Sequence, residues 1–412
     1  MANSWRKRAR QELSNSTWVA PFALLLLIIF LGDVSTSSWR MLLPVYAEAI
    51  LKRPPYFTSM LLSVNLVSGA VSALFGGALS DSLGQKRVLL LGVSGLPLVG
   101  LVFLQGSTLV LVLLWAYIGF AFGLLTVGRQ SYMMAAVPER LLGTATALIF
   151  LGLTLGSALG NSLAAPVVDR YGFGVLGAGM LSLSSGVLLL AALAMPEMGG
   201  RGRRLNSAQS LVGYGAILRR HQVLLLGVLR FVATCYWGTA SLLMPLLVFR
   251  SARVPSAAAY YGTASLVFAS LCQLLSGRVC DRYGVRWPIV ILTALLASIS
   301  AITSLFTTSL PGLFVCGILG AGIAWSLSVT IPGLVNHISQ PEEHGRTLGF
   351  THVAWSAGMV VGTQVGGWLV EVSSGLPFLV MGLFNVLSVA SAVMLNRWLS
   401  RVEKQDTVIP QS

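Results

Sequence analysis

Three ionised side chains, Asp33, Arg129 and Arg230, stand inside long apolar runs of this sequence. A charge at the middle of a bilayer costs about 2.5 to 3.5 kcal/mol on insertion scales, so each one calls for a partner, a ligand or a proton. A buried carboxylate can be discharged by a proton or a cation, and a guanidinium nearby favours its ionised form. Arg40 follows Asp33 by seven residues on the same helix face, where it either meets an anionic group or snorkels to the surface. Arg230 has no charged neighbour in its own run, which points to an anionic ligand group or to a partner on another segment. His352 is the titratable group placed deepest in the apolar runs of the second half; it suits either a proton relay or a hydrogen bond to a neighbouring helix. Trp237, Trp325 and Trp355, with Thr234 and Ser241 on the face of Trp237, either line a cavity or pack between helices.

The elements that must carry these residues are membrane spans. Of the 412 residues 55% are hydrophobic and 10% charged, and the mean hydropathy is +0.80, whereas soluble chains carry about 25% charged residues. Runs of the roughly 20 apolar residues that a bilayer core requires recur from end to end; a membrane barrel would show alternating segments of about ten. The expected spans are 18–44, 57–79, 88–104, 109–137, 142–168 and 173–195, then 223–249, 257–276, 288–306, 313–337, 347–370 and 376–398. The chain thus reads as a tail (1–17), a six-helix bundle (18–195), a linker (196–220) bearing Arg201, Arg203 and Arg204, a second six-helix bundle (221–398) and a closing tail (399–412).

The net charge of +14 would suit nucleic acid, but its placement follows a membrane rule. With the N-terminus cytoplasmic, nineteen of the 27 Lys and Arg residues fall on the inner side and six on the outer, as the positive-inside rule requires. Nucleic acid is therefore not an expected partner, and both termini are expected in the cytoplasm. Cys235, Cys272, Cys280 and Cys316 lack metal-ligand spacing and read as packing thiols. No metal, no cofactor and no cleavable signal is expected.

One short stretch occurs twice. Gly77, Asp81, Gly84, Lys86 and Arg87 break an apolar run with an acid, a turn glycine and two cations, and Gly277, Asp281, Arg282, Gly284 and Arg286 repeat the break 200 positions later. Pro44 and Pro245 correspond as well, as do Pro138-Glu139 and Pro341-Glu342, so the halves are two copies of one unit. Each glycine permits a sharp turn, and the cations suit anionic headgroups at the inner surface.

Over essentially its whole length the sequence resembles the major facilitator superfamily, whose signature between helices two and three is matched by both copies, apart from Ser82 and Trp287 where cations are expected. The resemblance implies an all-α integral membrane protein with twelve transmembrane helices as two pseudo-symmetric six-helix bundles. It implies that Asp81 approaches the start of helix eleven, near Gly345 and Arg346, where a helix dipole favours an acid. The fifth span matches an antiporter signature in part: Gly156 to Gly160 are present, but Asn161 stands for a proline and Ala164-Ala165 for a glycine pair. Gly152, Gly156 and Gly160, and likewise Gly358, Gly362 and Gly366, form rows of small residues that read as helix-packing seams. Asp33 and Arg129 resemble the acid and arginine of drug/proton antiporters, either as a proton-coupling pair or as a static ion pair.

The function implied is secondary transport across a plasma membrane, a bacterial inner membrane by type, with proton-coupled export of an amphiphilic compound as the first reading. Uptake of a small metabolite, including an anionic one drawn to Arg40 and Arg230, is the second, and a non-transporting receptor or scaffold is the third. The expected partners are the bilayer, a small-molecule substrate and protons, with the chain a monomer. No phosphate-binding loop, metal cluster or Ser/His/Asp grouping points to an enzyme.

Overall fold

A computed structural model of the chain describes residues 18–138, 141–197, 219–340 and 343–408. These residues form helices α1 (Val19–Thr36), α2 (Trp39–Ala49), α3 (Pro55–Leu83), α4 (Gln85–Val93), α5 (Gly95–Val102), α6 (Thr108–Ala136), α7 (Leu142–Ala194), α8 (His221–Ala252), α9 (Pro255–Tyr283), α10 (Arg286–Thr303), α11 (Leu310–Ile338), α12 (His344–Val372) and α13 (Leu376–Val408). Among the described residues there is no strand. In a bilayer the backbone must satisfy its own hydrogen bonds, and helices do this within one segment.

Several expected boundaries move. The first span runs through Pro44 to Ala49, because the bond that proline forgoes costs little beside the bonds on either side. A change of course at Ser37-Ser38 separates α1 from α2. Ser35 and Thr36 both donate to the Gly32 carbonyl at 2.8 Å just before it, and such back-bonding bends helices. The expected spans 142–168 and 173–195 are one helical run broken at Gly172 alone, with φ 79° and ψ 176°. Among the described residues eleven helices are long and apolar enough to cross a membrane, one of them Thr144–Ala194 with 51 residues. That length would reach about 75 Å against a core of about 30 Å; divided at Gly172 it supplies two crossings, and the total is twelve. The expected tail from 399 is helical as far as Val408.

The chain forms two compact units. The first comprises Met1–Ser37, Val67–Gly160 and Phe173–Leu205. Its core sets Leu25 and Ile28 against Leu89, Val93, Tyr132, Ile149 and Ala191. The second comprises Ser38–Leu66, Asn161–Gly172 and Asn206–Ser412. There α8 is the central element, packed by α2, α9, α11, α12 and α13, and Leu226, Leu229, Leu242 and Leu243 are wholly buried. Leu74, Leu193 and Leu305, each 78% exposed, show the reverse side of the pattern: apolar residues cover the outside as well as the core, as lipid requires.

Candidate functional site

In the first unit the glycine row of α7 sets the position of Asp33. A methyl on Gly156 would lie 2.7 Å from the Phe30 carbonyl oxygen and 3.0 Å from Asp33 Cβ. One on Gly160 would lie 2.6 Å from the Val34 carbonyl oxygen and 2.7 Å from Ser37 Oγ. Helix α7 therefore rides directly on the backbone of α1, which only small residues allow. Ser157, between the two glycines, donates to Asp33 Oδ1 at 2.9 Å, and Ser37 Oγ donates to the Ser157 carbonyl at 3.2 Å. The Asp33 carboxylate is thus half-buried and held by the Ser157 hydroxyl. Gly152 lies outside the seam: a methyl there would meet nothing within 4 Å, because one turn earlier the facing backbone of α1 has left contact. Arg129 is half-buried on α6. Its neighbour Gly128 fixes that helix, since a methyl there would be 2.8 Å from Leu89 Cα of α4.

In the second unit three helices bring five sequence candidates together. Arg230 Nη1 of α8 donates to Ser328 Oγ of α11 at 2.9 Å. Trp237 of α8 meets Trp325 of α11 edge to face at 6.1 Å between centroids, and on α12 the His352 and Trp355 rings stack at 5.4 Å and 17°. Arg230 lies close enough to His352 for their charges to interact. Thr234 is buried, donates at 2.6 Å to the Arg230 carbonyl and lies against Gly358, so it braces the helix pair. Gly358 and Gly362 press on the α8 backbone at Phe231 and Cys235, and Gly366 meets Thr239, so the second glycine row is a contact surface throughout. Arg40 is exposed on α2 with its guanidinium 5.2 Å from the Trp39 ring centre.

The repeated motif makes the expected turns. Gly84 and Gly284 have φ of 90° and 73°, a region that side chains other than glycine rarely enter. Lys86 and Arg87 line a shallow recess with Gln85 and Glu197. Arg282 lies 5.3 Å from the Tyr283 ring centre, and Arg286 donates to Asn396 of α13 at 3.2 Å. Gly277 has open space beside it. The side-chain surroundings of Gly77, Asp81, Gly345 and Arg346 lie outside the described part.

A further cluster had no sequence expectation. Within the second unit, segments from before and after residue 206 are joined by polar contacts. Glu48 of α2 and Arg250 of α8 form a forked ion pair at 2.6 to 3.1 Å. Asp169 accepts from the Ser256 amide at 2.9 Å, Ser162 and Thr263 lie 3.1 Å apart, and Gln364 bonds Ser59 and Ser63 at 3.2 and 2.8 Å. One signal for the ion pair was present: Glu48 and Arg250 follow the matched prolines Pro44 and Pro245 by four and five residues, with opposite charge.

Comparison with known proteins accords with this arrangement. The family model of the Major Facilitator Superfamily matches residues 25–271 and 226–409. The gallate transporter of Pseudomonas putida is 25% identical over 81% of this chain and 82% of its own, and the proton-coupled antiporter flippase LtaA of Staphylococcus haemolyticus is 22% identical over 89% and 91%. The class H tetracycline resistance protein of Pasteurella multocida is 28% identical over 29% of each chain, so this chain spans under a third of that relative. Among solved structures, a point mutant of the nucleoside transporter NupG superposes with a TM-score of 0.74 at 15% identity, over 92% of this chain and 99% of that one. At that identity the likeness is one of fold.

Proposed function

The chain belongs to the Major Facilitator Superfamily, a family of transporters, and we propose that it exports an amphiphilic small molecule in exchange for protons. The observation that carries this reading is the half-buried Asp33 carboxylate, seated by Ser157 on a glycine seam. A carboxylate so placed binds a proton or a cationic group in turn, and competition between the two is what couples their movements. Arg129, half-buried on α6 of the same unit, is the basic residue paired with Asp33 in this reading. Alternating access by the two repeats, 18–195 and 221–398, carries the exchange. The likeness to the antiporter flippase and to the tetracycline resistance protein supports export. The protein works as a monomer in a bacterial inner membrane, with the motif loops cytoplasmic.

A second reading, uptake of an anionic metabolite, draws on Arg230, a cation hydrogen-bonded to a neutral hydroxyl, and on the likeness to the gallate transporter. Reconstitution into proteoliposomes under an imposed pH gradient tests the first. Gradient-driven export that Asp33→Asn abolishes is the expected result; flux untouched by that change removes Asp33 from the coupling role. Absence of flux for every member of a broad substrate panel favours a non-transporting receptor.

A further inference from the structure

We propose that α8, α11 and α12 form a binding site for an amphiphilic aromatic monoanion, an arylcarboxylate, whose carboxylate sits on Arg230 and Ser328 and whose ring lies against Trp237, Trp325 and Trp355. The proposal rests on the second reading above, uptake of an anionic metabolite, and names the substrate class for it.

Burial along α8 locates the site. From Val232 to Val248 every residue is buried except Trp237 and Ser241, which stand one turn apart on one face. Arg230, half-buried, lies on that face two turns before Trp237. Arg230 and Trp237 on this stripe meet Ser328 and Trp325, so the stripe faces α11 of the same unit. Across it stand Ser328 and Trp325 of α11, both half-buried, and the exposed ring of His352 on α12.

The chemistry selects the ligand. A guanidinium presents five N–H donors in a planar fork, and among the described residues one hydrogen bond, to Ser328, engages it. Ser328 in turn donates to the Ala324 carbonyl at 3.3 Å and carries no charge. No carboxylate among the described residues pairs with Arg230, and the apolar spans of the second half supply no acid short of Glu371 at the far end of α12. A planar carboxylate fits the fork in bidentate fashion. One cation balances one negative charge, which favours a monoanion over a phosphate dianion. The remaining walls are indole rings set edge to face and a stacked imidazole and indole, surfaces suited to a flat aromatic body.

Equilibrium binding to the purified full chain in detergent, with 1-naphthoate, its methyl ester and 1-naphthylmethylamine as probes, tests the proposal without any gradient. Naphthoate is expected to bind saturably, the ester about tenfold or more weaker, and the amine not at all. Arg230→Gln is expected to remove the preference for naphthoate over the ester. Arg230→Lys, which keeps the charge but loses the fork, and Ser328→Ala are each expected to weaken naphthoate several-fold; they decide the matter where Arg230→Gln does not fold. Equal binding of acid and ester, no binding of naphthoate, or an unchanged preference in the Arg230 variants overturns the site. Loss of flux with the binding pattern intact counts against the transport reading alone, and a lowered melting temperature with the acid preference intact marks Arg230 as structural and also overturns it.

Discussion

What a glycine contributes here depends on what its missing side chain would touch. Gly152, Gly156 and Gly160 repeat at the same spacing, yet a methyl group would press on the α1 backbone at the second and third and meet nothing at the first. Overpacking a tight contact costs about 1 to 3 kcal/mol, whereas alanine in open helix is better than glycine by roughly 0.5 to 1 kcal/mol. Gly160→Ala is therefore expected to lower the melting temperature in detergent and Gly152→Ala to hold or raise it; equal effects would mean that α7 does not ride on α1. The sequence could propose the row but not select its members, because that depends on where two helices cross. Hydroxyl partners were hidden for a similar reason. Nothing in the pattern around Ser328 announces Arg230, 98 positions away, or tells that the Thr234 hydroxyl bonds back to the Arg230 carbonyl of its own helix.

At the scale of elements, hydropathy made the spans legible because bilayer thickness sets both their length and their composition. Their joints were less so: Gly172 breaks a run whose hydrogen-bonding pattern otherwise continues, and the ion pair of Glu48 with Arg250 joins helices some 200 positions apart. With the motif loops cytoplasmic, that pair and its polar neighbours lie at the outer ends of their helices and tie those ends together. The side chains are 36% and 27% exposed, so screening limits the pair to about 1 kcal/mol or less, a factor of roughly 5 in an equilibrium. In a background with the four native cysteines replaced, Thr263→Cys is expected to react faster with an impermeant maleimide once Glu48→Gln is added, by no more than about fivefold by the same reckoning. The charge exchange Glu48→Arg with Arg250→Glu is expected to restore the slow rate. Unchanged labelling in all variants would show that the pair does not hold the outer ends together.

The whole molecule sets one further condition, that every crossing returns the chain to the opposite side. Counting α7 as two crossings gives an even total and places both termini together; counting it as one gives eleven and separates them. Length already favours two, since 51 helical residues exceed the bilayer core more than twofold. Charge then chooses the side. By sequence position the cations of both motif loops, Arg219, Arg220 and the cluster from Arg201 to Arg204 fall on the same side of this topology, and few of the 27 Lys and Arg residues fall on the other side, so the positive-inside rule makes the crowded side the expected cytoplasmic one. A fluorescent reporter that folds only in the cytoplasm is expected to be active when fused at Met1 or after Ser412 and dark in the loop at Gly172. A phosphatase that needs the outer compartment is expected to behave in the opposite way. Disagreement between the termini would reduce α7 to a single crossing, whereas agreement with both reversed would put the motif loops outside, and the exposed carboxyl-to-guanidinium pair would then face the cytoplasm.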